Sequence, residues 1–256
     1  MDLEKRRITR WQAAPIHLAL SVLVAAAVFA VVYFVWYPGA LFAGAGGWNL
    51  LLLIASVDVT IGPLITLIVF VPGKPGLKFD LAFIAVAQFS ALIYGLHVLY
   101  ESRPAWIVYV KDRFELVRAN QIDDRERAKA KPPFNALSIT GPHLVGAEQP
   151  KNPDEQFRIM MTAAQGFDLQ TYPQYFVPYD AVRGEVKAHA KPLSQLRELN
   201  PREREQVDGI SAKVHRPAKD LGFLPLRAGP KDLSVIVDRV NGDFLGTWDL
   251  RPWKYT

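Results

Sequence analysis

The sequence predicts a membrane protein: an N-terminal bundle of three transmembrane α-helices over residues 1–103, followed by a small α+β exported domain over residues 104–256. Three long apolar runs, Leu18–Tyr37, Leu50–Val71 and Leu81–Tyr100, crowd the first hundred residues. Between Ile16 and Tyr100 the formally charged side chains are only Asp58, Lys74, Lys78 and Asp80, although 21% of the whole chain is charged. A mean hydropathy of +0.07 hides this division. Beyond Arg103 the pattern turns to short strands and amphipathic helices, in a stretch of about 150 residues that suits one domain.

A bilayer core about 30 Å thick takes roughly 20 apolar residues at about 1.5 Å rise each, and all three runs reach that length. Spans are expected near residues 16–37, 49–71 and 80–100. For the first, a signal peptide is the competing reading, with its basic start and small residues after the apolar stretch. A signal's apolar region runs only about 7–15 residues, and this one is longer and ends in Trp36-Tyr37-Pro38, an aromatic interface anchor.

Orientation follows from Lys and Arg in the short loops. Lys5, Arg6, Arg7 and Arg10 precede the first span, Lys74 and Lys78 lie between the second and third, and the loop Pro38–Gly47 has no charge. The N-terminus is therefore expected in the cytoplasm. The Gly-rich loop and the C-terminal domain are expected outside, in the periplasm of a bacterium whose inner membrane the spans cross several times.

Asp58 lies about ten residues into the second run, roughly 15 Å deep by helical rise. A carboxylate there costs about 2.5–3.5 kcal/mol, so it should face the bundle interior, carry a partner or be protonated. Pro63 has no N–H and crowds the carbonyl one turn earlier, which predicts a kink at Gly62-Pro63, with Thr60 and Thr66 able to satisfy freed carbonyls. Gln88 in the antiparallel third span sits near the level of Asp58, so the two can pair. Two readings stand: these polar residues join the three helices to one another, or they grip a foreign helix or move a proton. Asp80 is expected to cap the third helix, and His17 and His97 to reach headgroups or water from opposite ends. Ala25, Ala26, Ala27 and Ala30 make a smooth surface for a neighbouring helix of this chain or another.

In the exported domain, Trp106–Val110 and Phe114–Val117 around Lys111-Asp112 read as a hairpin. Leu233–Val240 and Phe244–Trp248 around Asn241-Gly242 read as a second, and one sheet can unite both. Between them Asn152-Pro153 opens a helix that Gly166 closes, Ala181–Ala190 is helical, and Asn200-Pro201 caps a run to about Val214. The stretch from Tyr172 to Tyr179 is a Pro-stiffened aromatic loop. Tyr172, Tyr175 and Tyr179 either present a contact surface to a protein partner or pack on their own core. Asp123–Arg127 and Arg202–Glu205 read as solvated helix faces.

With no cysteine there is no disulfide and no thiol chemistry. Five scattered histidines lack zinc spacing, and no nucleophile elbow, phosphate loop or H-E-x-x-H motif occurs. We therefore expect no metal, no cofactor and no enzyme activity. The net charge of +5 and pI near 9.3 fit a domain facing an anionic membrane surface better than a nucleic-acid binder.

Several residues in order and spacing carry a resemblance: Trp36-Tyr37-Pro38; Asp58 with Gly62-Pro63-Leu64 and Thr66; Asp80-Leu81, Gln88, Ala91-Leu92 and Tyr94-Gly95; Arg103-Pro104; Asp112-Arg113-Phe114; and Thr140-Gly141-Pro142. Together they resemble the TfpX/TfpZ family of type IV pilin accessory proteins, most closely over the three spans and the start of the exported domain. The resemblance implies a chaperone-like inner-membrane helper that binds a cognate type IV major pilin and promotes its assembly or stability, in contact with the bilayer and with other pilus assembly proteins, and it brings no catalytic residues. On that reading Asp58, Thr60, Gly62, Pro63, Thr66 and Gln88 contact the pilin helix or tie the bundle together. Two alternatives stay open: a membrane enzyme modifying pilin, with Glu101, Arg103 and Asp112 as its acid–base candidates, and a periplasmic sensor.

Overall fold

A computed structural model describes residues 8–254; Lys5, Arg6 and Arg7, used above for orientation, lie outside them. The chain divides into two compact bodies. One holds the described residues up to Val32 together with Trp48–Tyr100, and the other holds Tyr33–Gly47 together with the chain from Glu101 onward.

In the first body, helix α1 (Arg10–Val31) starts at Thr9, whose backbone N–H donates to the Gln12 side chain in a capping box. It runs on into a π-helical turn, Val32–Trp36. After α2 (Ala40–Gly44), which belongs to the second body, the middle apolar run forms α3 (Gly47–Ser56), a π-helical turn over Val57–Ile61, and α4 (Gly62–Val69). Helix α5 (Leu77–Glu101) completes the body. Among the described residues two helices are long and apolar enough to cross a membrane, Arg10–Trp36 and Leu77–Glu101, where three were expected. In the middle run the apolar helix counted, Asp58–Val69, is shorter, and residues 50, 53–55 and 57 before it lie outside those whose side chains are described. Asp80 is not a cap: α5 starts three residues earlier, and Asp80 pairs with Lys74 at 2.7 Å within the first turn.

The second body is built on one mixed sheet. Its elements follow in chain order: β1 (Pro104–Val110), β2 (Arg113–Arg118), α6 (Asp124–Arg127), β3 (His143–Ala147), α7 (Pro153–Ala163), β4 (Phe176–Pro178), α8 (Tyr179–His189), β5 (Lys191–Pro192), α9 (Leu193–Leu199), α10 (Arg204–Asp208), α11 (Ile210–Val214), β6 (Leu221–Arg227), β7 (Leu233–Asp238) and β8 (Phe244–Trp248). The sheet order is β4-β3-β1-β2-β6-β7-β8, with β5 paired to β6. Both expected hairpins form, turning at Lys111 (φ 59°) and Gly242 (φ 81°). They do share one sheet, because β6 pairs parallel to β2 and antiparallel to β7. Strand β1 is buried along its whole length, as expected for a strand covered on both faces.

Asn152 caps α7 as expected, its side chain accepting from the Asp154 N–H at 2.9 Å. Asn200 does not cap a helix start. It follows the end of α9, buried, and donates to the Leu196 and Arg251 carbonyls while accepting from the Arg251 N–H. The tail is thereby fixed to the cluster of Leu193, Leu196, Val207, Ile210, Phe223 and Ile236.

The loop between the first two apolar runs is part of this core. Tyr37, Leu41, Phe42 and Ala45 are buried. The Trp36 indole donates to the Ile139 carbonyl at 3.1 Å, and the Tyr37 hydroxyl to the Ser102 carbonyl at 2.9 Å. These aromatics, expected as interface anchors, pin the loop to the folded body. Gly44 in α2 approaches β7 so closely that a Cβ there would lie 2.6 Å from Leu233 Cδ1. Strand alternation puts Leu233 and Ile236 on opposite faces, so α2 covers the face that α9–α11 leave free.

Phe42→Ala should therefore destabilise the second body by about 3–5 kcal/mol, read as earlier denaturant unfolding of the detergent-solubilised full chain; a loop that only connects helices would give no change. Burial raises the Glu115 carboxyl above its ordinary 4.5, although Arg113 donates to it at 2.7 Å. A folded-state value above the unfolded one means stability that is full below about 4.5 and lost as pH rises through the folded value. Glu115→Gln should flatten that decline in thermal unfolding measured across acidic and neutral pH.

Candidate functional site

Three helical stripes converge in the first body. On α1 the positions Ala14, His17, Ser21, Val24 and Val28 recur at alternating spacings of three and four, which places them on one face. On the middle run Asp58, Gly62 and Thr66 recur at spacings of four and are all buried, as is Pro63. On α5 Leu81, Ile84, Gln88 and Leu92 recur at spacings of three and four, with Ile84 buried and the others half-buried. His17, Ser21, Asp58, Thr66, Ile84 and Gln88 all border one cavity of about 310 Å³, lined mostly by apolar atoms.

A hydrogen-bonded chain links the stripes. His17 Nδ1 lies 2.6 Å from Thr66 Oγ1, and His17 Nε2 lies 2.8 Å from Gln88 Oε1. Gln88 Nε2 reaches the Asp58 backbone carbonyl at 3.5 Å. Turning the Gln88 amide over would set its oxygen against that carbonyl, two acceptors face to face. The amide nitrogen therefore donates to Asp58, the amide oxygen accepts from His17 Nε2–H, and the other ring nitrogen accepts the Thr66 hydroxyl.

The Asp58 carbonyl needs this donor for a backbone reason. In a π-helical turn a carbonyl is bonded by the N–H five residues on, and five residues on from Asp58 stands Pro63, which has none. Gly62 makes the approach possible, since any Cβ there would collide with the Gln88 amide. The irregularity expected as a kink at Gly62-Pro63 is thus a π-helical turn just before it.

Of the residues expected to make polar contacts, Asp58, Gly62, Thr66 and Gln88 come together, with Pro63 buried beside them. Thr60 is turned outward and exposed. Asp58 and Gln88 do meet, but through the Asp58 backbone; among the described residues the buried carboxylate Oδ1 has no hydrogen-bond partner. His17, expected at a membrane boundary, is the centre of the network. Its place in the Ala14–Val28 stripe was the signal for it. Ala26, Ala27 and Ala30 are exposed, so the small-residue face is not used within this body.

The tyrosines of the aromatic loop are not a display surface. Tyr172 and Tyr179 are 4% and 8% exposed and Tyr175 is half-buried. The Tyr172 hydroxyl bonds Thr162 Oγ1 at 2.7 Å, Arg158 stacks over its ring, and the Tyr179 hydroxyl donates to the Gly242 carbonyl. Neighbouring Gln174 donates to Glu126 at 2.6 Å. Glu126, expected on a solvated face, is partly buried, which raises its carboxyl, but donors from Lys129 and Gln174 and the charge of Arg158 outweigh this and hold it below the usual range. The loop packs inward because its rings have core to fill and its polar tips have partners there. Of the acid–base candidates, Arg103 donates to the Ser138 carbonyl, Asp112 pairs with Arg113, and Glu101 is exposed.

His17→Ala removes two bonds between helices that average about 0.6 kcal/mol each in membrane bundles. It should lower the resistance of the full chain to denaturing detergent by about 1 kcal/mol. Gly62→Ala should do the same by displacing Gln88, and combining the two should add little, because both break one chain of bonds.

A family model described as fimbrial assembly protein FimB matches residues 5–39. Two fimbrial assembly proteins of Dichelobacter nodosus, of serogroup I and serogroup E1, are each 34% identical over 229 residues, covering 88% of this chain and 89% of the relative. A third, of serogroups C1 and C2, is 37% identical over 110 residues, 42% of this chain and 83% of that protein. No solved structure matches. The matched relatives carry the fimbrial assembly description, which is broader than the TfpX/TfpZ designation suggested by the motif order. Similarity at this identity over nearly the whole of both chains makes this chain a member of the FimB family of fimbrial assembly proteins.

Proposed function

We propose that the chain is a non-enzymatic, chaperone-like helper of the bacterial inner membrane that binds a type IV major pilin and promotes its assembly or stability, alongside other pilus assembly proteins. The observation that carries this reading is the end-to-end similarity to proteins described as acting in fimbrial assembly.

The two bodies suit the task. Residues 33–47 and the tail fold together, so they must lie on the same side of any membrane that the helices cross. The turn carrying Lys74 and Lys78 lies between the other ends of the second and third apolar runs and favours the cytoplasm, which leaves the sheet body in the periplasm. End to end, the middle run from Gly47 to Val69 measures about 34 Å at about 1.5 Å per residue, enough for a third pass despite its π-helical turn. A pass of this kind is tolerated where neighbouring helices satisfy the freed backbone groups, as Gln88 does here. The helical body would then engage the pilin's apolar segment and the sheet body its globular part.

Loss of the protein should abolish surface fimbriae while the pilin is still synthesised, measured by electron microscopy and immunoblotting of a deletion strain; normal fimbriation would overturn the reading. Because the chain has no native cysteine, single-cysteine variants report topology cleanly. Cysteine at Asp243 should react with a membrane-impermeant maleimide added to the periplasm, and cysteine at Lys78 should react only after the inner membrane is opened.

A further inference from the structure

We propose that the cavity beside Asp58 is a socket for a hydrogen-bond-donating side chain, a hydroxyl, amide or ammonium, carried on the apolar helix of the membrane-embedded fimbrial subunit, with the Asp58 carboxylate as acceptor. The proposal rests on the reading above, that this body lies in the membrane and engages such a subunit.

Asp58 is 8% exposed, and its Oδ1 is buried with no partner among the described residues. Three nearby donors are engaged elsewhere, Thr66 with His17, His17 with Gln88 and Gln88 with the Asp58 backbone carbonyl, and Ser21, which also borders the cavity, makes no hydrogen bond to Asp58 among the described residues. Among the described residues the carboxylate therefore makes no hydrogen bond that joins one of the three helices to another. Its burial at membrane depth costs several times what an average bond between membrane helices contributes. An aliphatic side chain at this position would serve the bundle better. A carboxylate here gains a rationale once a donor arrives from outside.

The cavity fits such a donor in shape and polarity. Its walls include Leu20, Val24, Leu81, Ile84 and Leu92, with Asp58 as an acceptor among them. A volume of about 310 Å³ holds one or two large side chains; a helix about 10 Å across can lie only along its mouth. The expected ligand is thus an apolar side chain with one polar tip, projecting from a helix that stays in the hydrocarbon phase. The π-helical turn aims the acceptor: it carries Asp58 on the same buried stripe as Gly62 and Thr66, and Pro63 leaves its carbonyl to Gln88.

The test uses the full chain in membranes with the co-expressed fimbrial subunit. A photo-cross-linking amino acid replaces Leu20, at the cavity wall, or Leu23, which is exposed and does not line it. The Leu20 probe should give a covalent adduct with the subunit and the Leu23 probe at least tenfold less. Asp58→Leu should reduce the Leu20 adduct about tenfold while the protein remains inserted and at least as resistant to denaturing detergent. Asp58→Asn keeps an acceptor oxygen without charge: a retained adduct assigns a hydroxyl or amide donor, and a lost one an ammonium. An unchanged yield in Asp58→Leu, or adducts with lipid alone, would overturn the socket. Fimbriae lost on deletion but normal in Asp58→Leu would also overturn it while leaving the assembly role intact; normal fimbriation on deletion would remove both.

Discussion

Residue 63 has no backbone N–H, and the helical body is arranged around that fact. The Asp58 carbonyl, which π-helical geometry would bond to residue 63, is reached by the Gln88 amide instead. Gln88 can come that close only because residue 62 is glycine. Its oxygen then orients His17, and His17 receives Thr66. One missing donor thus draws a residue from each of the three helices into a single chain of bonds. The Asp58 carboxylate is left beside a cavity, its Oδ1 without a hydrogen-bond partner among the described residues.

The sheet body has a different organising constraint. Its core is closed by residues 33–47, which lie far from it in sequence between two apolar helices. Tyr37, Leu41 and Phe42 are buried, and α2 packs on β7 through Gly44. The body can therefore be completed only when the first and last parts of the chain reach the same compartment.

Much of this was legible from residue order. Both hairpins were readable because their turns carry residues that tolerate positive φ or a tight connection, Lys111-Asp112 and Asn241-Gly242. The α7 cap was readable because Asn152-Pro153 is a local signal. Strand β6 escaped notice because Gly222 and Pro225 interrupt it and its side chains are buried without alternation. Asn200-Pro201 misled because a start signal and a buried tie to Arg251 look alike when the partner is 51 residues away. In the site, Asp58, Gly62, Thr66 and Gln88 stood out as polar or small residues in apolar runs. His17 was misjudged on depth alone, although its periodicity with Ala14 and Ser21 put it inside. The tyrosines were ambiguous because a buried and a displayed aromatic loop have the same composition.

The hydrogen bonds through His17 run in one direction, which nitrogen NMR of that ring in the full-length protein in lipid vesicles reads out. Its signals can be assigned by their disappearance in His17→Ala. A single tautomer protonated at Nε2 is expected, with Nδ1 as an acceptor. A ring protonated at Nδ1 alone, or one exchanging freely between tautomers, would contradict the chain of bonds from Thr66 to Asp58.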